Sequence, residues 1–205
     1  MSAASTPERT RRDELLAIAA ELFAERGFKN TTVRDIADAA GILSGSLYHH
    51  FDSKESMVDE ILRGFLDTLF DRYRAIVAKR LGPRATLEAI VVASFQALDE
   101  HHPAVAIYQA EARRLAEQPR FSYIPQRLTE FRGMWHDVLR AGIADGSFRA
   151  DLDVELSYRF LRDTVWVGVG WYRHGGKLTI DDIARQYLGI VLDGIAAPPN
   201  GAARG

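Results

Sequence analysis

The sequence contains no cysteine among its 205 residues. The absence of thiols excludes disulfide bonds, thiolate zinc sites and thiol catalysis, and it is typical of proteins in a reducing compartment. The sequence also has no apolar run near the roughly 18 residues that a membrane span needs, and its first residues lack the apolar core of a signal peptide. We therefore expect a cytoplasmic protein that does not associate with membranes.

Charge of one sign is in little excess, because 26 lysines and arginines stand against 28 aspartates and glutamates, for a formal net charge of -2. Proteins that coat nucleic acids carry a large basic excess, so this balance argues against that class. It does not exclude a protein that reads a short DNA site, since such a site needs only a local cluster of positive groups.

Sustained two-residue alternation of apolar and polar side chains is also absent. Almost every segment instead spaces its apolar residues three to four positions apart, which is typical of amphipathic helices, and we predict an all-α fold. The first helix is predicted to begin at Ser5 or Thr6 and to stop at Gly27. The later long helices, each bounded by Gly, Pro or a capping hydroxyl, are predicted over residues 53–81, 84–100, 103–117, 125–144, 153–173 and 179–196.

Two short helices are predicted between the first helix and the long one. Thr32 is expected to cap the first of them, with Asp35 at the spacing of a capping box. Gly41 ends that helix, and Ser44 is expected to cap the second, which contains Leu47. Two helices joined by a tight glycine turn are typical of a DNA-binding helix-turn-helix.

At these residues the sequence resembles the TetR family of one-component bacterial regulators. The family's capped helix, glycine turn, L-Y-x-H-F recognition helix and downstream lysine appear here as Thr32, Gly41, residues 47–51 and Lys54. The resemblance implies a homodimer that binds a palindromic operator in double-stranded DNA, represses transcription and is released by a small-molecule effector. Physics alone leaves open whether such a protein represses or activates.

The start of the long helix at Ser53 predicts a division of the chain into two domains. Residues 1–52 would form a three-helix DNA-binding domain, and residues 53–196 a helical domain for effector binding and dimerisation. The tail at residues 197–205 is expected to be disordered.

Carried over residue by residue, the resemblance assigns DNA contacts to the turn and the second short helix. The implied contacts are Ser44, Gly45 and Ser46 at major-groove base edges, Tyr48 and His49 at the backbone or base edges, and Thr32 and Lys54 at phosphates. The alternative is that Tyr48, His49 and His50 are surface or core-edge residues of a three-helix bundle. The nearby Arg9, Arg11, Arg12 and Arg34 either contact phosphates or are solvated surface charges.

Two adjacent histidine pairs, His49-His50 and His101-His102, do not form a metal site in our interpretation. Neighbouring residues of a helix point in different directions, and no carboxylate and histidine spacing of a zinc motif accompanies them. The sequence likewise has no phosphate-binding glycine loop and no nucleophile elbow. We therefore expect no metal, no cofactor and no enzymatic activity. A helical adaptor that binds only proteins would leave the motif of residues 32–54 unexplained.

The last two helices are apolar on most of their faces and are expected to form the dimer interface. Glycines within them, at positions 168, 170, 189 and 194, would allow close backbone contact. The alternative is that these helices only build the core of one chain.

An effector site is predicted in the second domain from polar residues among aromatic ones. Arg162 and Trp166 lie one turn apart and could stack as cation and ring, and Tyr108 and Glu111 would add polar groups. Further candidates on this surface are Arg113, Arg114, Phe121, Tyr123, Phe131 and Trp135. The alternative for Arg162 is a structural salt bridge with Glu111 or Asp163.

Segments beyond the DNA motif, among them IYQAEARRLAEQPRFSYI and YRFLRDTVWVGVGWYRHGGKLT, look like the actinobacterial TetR-type repressors of late sterol-ring (cholesterol) catabolism. This resemblance covers nearly the whole chain. It implies an effector that is a coenzyme A thioester of the bicyclic indanedione propanoate left from steroid degradation. The alternative is a TetR-type regulator of another acyl-CoA or hydrophobic-compound pathway.

Overall fold

The computed structural model describes residues 10–193, and over that range it contains helices and no strand. The helices are α1 (Arg11–Arg26), α2 (Val33–Ala39), α3 (Ser44–Leu47), α4 (Lys54–Ala78), α5 (Pro83–Glu100), α6 (His102–Leu115), α7 (Tyr123–Ala144), α8 (Val154–Trp166) and α9 (Ile180–Asp193), with short 3-10 turns at Pro119–Phe121 and Val167–Gly170. The prediction of an all-α fold is confirmed.

The start of the first helix was predicted too early. Thr10 is in extended conformation and caps α1, with its side chain accepting the amide of Asp13 and the Asp13 carboxylate accepting the amide of Thr10. Two residues that share a capping box fix a helix start more firmly than an isolated hydroxyl. The predicted starts at Ser5 and Thr6, Arg9, and the tail at residues 197–205 lie outside the described residues.

The glycine turn and the caps around it are as predicted, with one exception. Thr32 and Asp35 form a capping box at the start of α2, and Gly41 follows that helix with a positive φ of 66°. Ser53 caps α4 as predicted. Ser44 is not a cap but the first residue of α3, and the capping position belongs to Leu43, whose side chain cannot accept a hydrogen bond.

Two apolar cores divide the structure, and α6 belongs to both. The first core packs α1, α2, α3 and the start of α4, and Ile107 and Leu115 of α6 are buried in it. The second core packs α4, α5, α7, α8 and α9, and Ala104 and Val105 of α6 are buried there. The three N-terminal helices therefore share a core with a helix of the larger domain.

Candidate functional site

The second short helix is held rigidly and presents a polar face to solvent. Leu47, the last residue of α3, is buried in the first core. Backbone bonds fix the turn before it, from the Ile42 amide to the Ala37 carbonyl at 3.0 Å and from the Ser46 amide to the Leu43 carbonyl at 2.9 Å. The predicted base-reading residues lie around this helix: Gly45, Tyr48 and His49 are exposed, and Ser44 and Ser46 are half-buried. Their contacts with DNA stay a prediction.

Thr32, predicted to contact a phosphate, uses its hydroxyl within the chain. The hydroxyl donates to the Asp35 carboxylate at 2.6 Å, and the Thr32 amide donates to the same carboxylate oxygen at 2.7 Å. These hydrogen bonds lower the pKa of Asp35, so an ionised carboxylate lies beside Thr32. A phosphate contact here would have to form next to that negative charge, and it stays a prediction.

Lys54 lies under the loop between α1 and α2. Its ammonium donates to the carbonyls of Phe28 and Thr31, at 2.9 and 3.1 Å, and lies 4.5 Å from the centre of the Phe28 ring. An ammonium has three protons, and two of them are used in these bonds. The structure therefore gives Lys54 a role in holding the helix-turn-helix on α4, and the predicted phosphate contact would fall to the remaining proton.

The arginines considered as phosphate contacts have different surroundings. Arg11 donates to the Ala40 carbonyl at 2.9 Å, and Arg12 forms an ion pair with Glu60 of α4. Arg34 remains largely exposed beside Asp38, at 3.7 Å. Arg11 and Arg12 thus hold α1 against its neighbours.

The histidine pairs do not gather further ligands. Among residues 10–193, no group of three His, Asp or Glu side chains is close enough to hold a metal ion. His102 instead bonds the Val169 carbonyl, at 3.1 Å, which fixes the turn after α8 to the start of α6.

A cavity of about 670 Å³ lies between α4, α6, α7 and α8. Its wall is mostly apolar and aromatic, and its polar lining consists of three arginines, one tyrosine, one glutamine and one aspartate. The lining residues that matter below are Phe65, Tyr108, Arg113, Arg127, Phe131, Arg162, Asp163 and Trp166. Three of the four predicted effector residues line the cavity. Arg162 and Trp166 do so from α8, and Tyr108 does so from α6.

The prediction that Arg162 stacks on Trp166 is wrong, because Arg162 lies over the ring of a different residue, Tyr158. The Arg162 guanidinium lies 5.3 Å from the centre of the Tyr158 ring, one turn earlier in α8, and it pairs with Asp163 at 2.6 Å. Side chains of a helix point towards its N-terminus, which directs Arg162 to Tyr158 and not to Trp166. Trp166 packs edge-on against Phe65, with ring centres 6.1 Å apart. The alternative of an Arg162–Asp163 salt bridge is confirmed.

Tyr108 lines the cavity, while Glu111 does not. Burial raises the pKa of Tyr108, so its hydroxyl stays protonated and can donate to a ligand. Glu111, one turn further along α6, accepts Arg114 at 2.7 Å and does not reach the cavity wall. Its placement in the effector site is corrected because pairing with Arg114 holds it on the other face of α6.

Some of the other predicted lining residues line the cavity, and others do not. Arg113 and Phe131 line the cavity, whereas Phe121 and Trp135 are fully buried in the two cores. Sequence reasoning missed Gln109 and Arg127. Gln109 could have been found from its i,i+4 spacing to Arg113 on α6. Arg127 could have been found in the same way, from its i,i+4 spacing to Phe131 on α7. At the cavity it pairs with Asp67 at 2.5 Å and Glu130 at 3.0 Å.

The far side of α6 contacts the DNA-reading half directly. The Arg114 guanidinium lies 5.5 Å from the centre of the Phe28 ring, and Lys54 lies near the same ring. Phe28 itself is buried. One helix therefore has a face on the cavity and a face on the loop that precedes α2.

The outer surface of α8, of the turn after it and of α9 exposes several large apolar side chains in this chain. Its large exposed side chains are Leu156, Phe160, Val167, Trp171, Ile190 and Val191. The Tyr187 hydroxyl of α9 donates to the Leu161 carbonyl of α8 at 3.1 Å, which links the two helices. Gly168 serves close packing within the chain, because an added Cβ would lie 3.3 Å from Leu98. Gly194 lies outside the described residues.

Comparison with known proteins identifies the family. The profile of bacterial regulatory proteins of the tetR family matches residues 15–61, and that of the Tetracyclin repressor-like C-terminal domain matches residues 80–195. The chain belongs to the TetR family. The first match ends inside α4, so a domain boundary at residue 52 stays a prediction.

Individual relatives of this TetR-family chain are similar over almost its full length. The HTH-type transcriptional repressor KstR2 of Rhodococcus jostii is 67% identical over 190 residues, 93% of each chain. KstR2 of Mycobacterium tuberculosis is 63% identical over 186 residues, 91% of this chain and 93% of the other. The solved structure of the ketosteroid transcriptional regulator KstR2 of Mycobacterium tuberculosis has a TM-score of 0.90 at 61% identity, and the match covers 93% of this chain and 97% of that one.

These relatives are transcriptional repressors and not enzymes. The protein is accordingly a TetR-type transcriptional repressor with a helix-turn-helix, and the expectation that it is not an enzyme is confirmed. Within residues 10–193, no helix is both long and apolar enough to cross a membrane.

Proposed function

We propose that the protein is a homodimer that represses genes of steroid-ring degradation and that a coenzyme A thioester from this pathway releases it from a palindromic operator. Support for the pathway comes from the 61% identical relative described as a ketosteroid transcriptional regulator. A protein bound to chromosomal DNA would act in the cytoplasm. The effector is a ligand and not a cofactor.

The observation that carries the proposal is the composition of the cavity. Its volume of about 670 Å³ falls in the usual range of ligand pockets, and its wall is aromatic. An apolar bicyclic ring system fits against Phe65, Phe131 and Trp166. Protonated Tyr108 can donate a hydrogen bond to a ring ketone.

The arginines of the cavity suit the phosphates of coenzyme A. Arg162 and Arg127 already pair with acidic residues, at 2.6 Å to Asp163 and 2.5 Å to Asp67. Arg113 is exposed at the cavity wall. Guanidinium groups bind phosphate through paired hydrogen bonds, so Arg113 is well placed to receive the charged part of the effector while the ring enters the apolar part.

Dimerisation is supported by the uncovered apolar surface of α8 and α9. Several large apolar side chains exposed on neighbouring elements are typical of an interaction site. A two-fold axis through this surface would place two α3 helices on one face of the assembly. Two half-sites about one DNA turn apart, roughly 34 Å, would then be read in successive major grooves.

The experiment that tests the proposal is fluorescence anisotropy on labelled DNA from upstream of the protein's own gene. The steroid-derived coenzyme A thioester is titrated into the complex, with free coenzyme A as the control. Release by the thioester alone supports the proposal. Binding without release contradicts the effector assignment, and release by other acyl-CoA esters instead would favour the alternative pathway.

A variant pair links the release to the cavity. Arg162→Met should keep operator binding and reduce release by the thioester, because the cavity wall loses a positive charge that can attract the effector. Arg140→Met is the matched control, since Arg140 is exposed on α7, pairs with Asp137 at 3.7 Å and does not line the cavity. Unchanged release from Arg162→Met would contradict the proposed site.

A further inference from the structure

Leu43 is the most exposed large apolar side chain among residues 10–193, with 81% of its surface accessible. It immediately precedes α3 and occupies the capping position of that helix. Ser, Thr, Asp and Asn stabilise helix starts at this position, and leucine does not. At this position α3 therefore lacks a stabilising side-chain hydrogen bond and exposes an apolar side chain instead.

The exposure of Leu43 is a consequence of an ordered backbone. The residue is extended, with φ −72° and ψ 142°, and consecutive side chains of an extended segment point to opposite sides. Ile42 packs against the first core, so Leu43 is directed outwards. Its carbonyl accepts the Ser46 amide at 2.9 Å, and the preceding turn is closed by the bond from Ile42 to Ala37. Little backbone entropy would be lost if Leu43 made a contact.

The side chains of α3 itself carry little information about DNA sequence. Gly45 has no side chain, and Ser44 and Ser46 can donate to or accept from any base. In a helix-turn-helix the residues at the start of the second helix approach the base edges of the major groove. The apolar feature of that groove is the C5-methyl group of thymine. Leu43 thus places an exposed apolar side chain beside Ser44, Gly45 and Ser46, which offer only hydroxyl groups or no side chain.

We propose that Leu43 determines part of the operator sequence by packing against the C5-methyl group of a thymine in each half-site. The inference rests on the proposed function, because it requires that this face of the protein binds operator DNA. It assigns the specificity of one base pair to van der Waals contact and exclusion of water, with no hydrogen bond to the base.

The test uses a duplex that the wild-type protein selects from a pool of random sequences. Each thymine of the half-site is replaced in turn by deoxyuridine, which lacks only the methyl group, and affinity is measured by anisotropy. Burying one methyl-sized group changes affinity about fourfold, so one position should weaken wild-type binding by about that factor per half-site. Leu43→Ala should bind the thymine and deoxyuridine duplexes equally at that position.

Two further variants separate reading from folding. Leu81→Ala changes another exposed leucine, 49% accessible and outside the helix-turn-helix, and should keep the wild-type response to deoxyuridine. Leu43→Ser supplies the missing cap, so it should raise the melting temperature and still lose the response. A merely structural role of Leu43 would not produce this combination.

The outcomes distinguish the inference from the proposed function. If the wild-type protein selects a sequence but is indifferent to every thymine methyl group, the inference fails and the proposed function stands. The inference also fails if Leu43→Ala keeps the full wild-type response. If the wild-type protein selects no sequence, the proposed function fails, and the inference fails with it.

Discussion

At the scale of a residue, the side chain of Lys54 can have two roles, one in contacting DNA and one in holding the fold. From the sequence it is the downstream lysine of a DNA-binding motif, and a phosphate contact is the natural interpretation. In the structure its ammonium holds the carbonyls of Phe28 and Thr31, which are 26 and 23 residues away along the chain. The first role requires DNA, whereas the second acts in the free protein.

We predict that Lys54→Met destabilises the protein without DNA by about 2 kcal/mol, because two carbonyls lose charge-assisted hydrogen bonds. Urea unfolding at one fixed protein concentration measures this loss. Lys79→Met, at the exposed end of the same helix, is the control and should be close to neutral. An unchanged stability, with a salt dependence of operator binding reduced by about one phosphate contact, would instead assign Lys54 to DNA.

The contacts of Lys54 also show which side-chain interactions could be predicted from the sequence and which could not. Thr32 with Asp35 and Ser53 before α4 were correctly predicted as caps because both partners lie within four positions. The choice of Arg162 between two aromatic residues, each one turn away, depended on the direction of helical side chains. Contacts between distant segments, such as that of Lys54, carry no local signal and needed the fold.

At the scale of an element, the end of α7 shows a position where glycine is required by packing. An ideal Cβ on buried Gly142 would lie 2.0 Å from the Phe148 ring. The chain turns back after α7 so that the Phe148 amide donates to the Gly142 carbonyl at 2.8 Å, which holds that ring against the helix. Gly133, in the middle of the same helix, is exposed and has nothing within 4 Å of an added Cβ.

The two glycines therefore predict opposite effects of the same substitution. Gly142→Ala should destabilise by about 1–3 kcal/mol, because the Phe148 ring must leave its place. Gly133→Ala should stabilise by about 0.5–1 kcal/mol, because alanine loses less backbone entropy in a helix. Thermal unfolding of both variants checks the pair. A Gly142→Ala variant as stable as the wild type, or more stable, would show that the ring of Phe148 is not fixed.

Helix positions were predictable because the apolar period and the Gly and Pro boundaries are local features. The helices predicted from residues 84, 103 and 125 are α5, α6 and α7, within two residues at their starts. The role of α6 was not predictable from its own sequence. Its faces are distinguished by neighbours, with Tyr108 and Arg113 on the cavity and Ile107 and Leu115 in the first core.

At the scale of the whole molecule, a proposed dimer would bury the apolar surface of α8 and α9. Phe160, 65% accessible, and Leu156 lie one turn apart on α8, and Ile190 is on the adjacent helix. A two-fold axis uses each residue of the surface twice, so one substitution changes two contacts.

We predict that Phe160→Asp weakens the dimer at least about a hundredfold, since two buried rings are lost at about 1.5–3 kcal/mol each. Sedimentation equilibrium measures the association, and anisotropy on operator DNA should show reduced affinity because one half-site alone is held. Leu81→Asp, another exposed leucine outside α8 and α9, should stay dimeric. A dimeric Phe160→Asp would exclude this surface as the interface.

At the same scale, α6 lines the cavity and also packs in the first core, so it offers the proposed effector a path to the proposed operator. A ligand that releases DNA must bind the DNA-free form more tightly, and operator DNA must weaken ligand binding by the same factor. One contact outside both proposed binding sites links them. Arg114, paired with Glu111 at 2.7 Å, lies against the Phe28 ring, which Lys54 and Phe23 also contact. Movement of α6 by a ligand at Tyr108 and Arg113 would therefore act on the loop before α2.

Arg114→Met tests this connection because it keeps an apolar side chain on Phe28 and removes the charge. We predict unchanged affinity for the effector alone, and a coupling factor about fivefold smaller, which corresponds to a cation–π contact of about 1 kcal/mol. The factor is measured twice, from operator affinity with and without effector and from effector affinity with and without operator. Arg113→Met is the contrast on the next residue, since it should weaken effector binding and leave the coupling factor unchanged. If Arg114→Met left both measurements of the factor at the wild-type value, the signal would have to pass elsewhere. The next contact to test would be that of Arg63 with the Tyr123 ring, at 3.9 Å, because it joins α4 to α7.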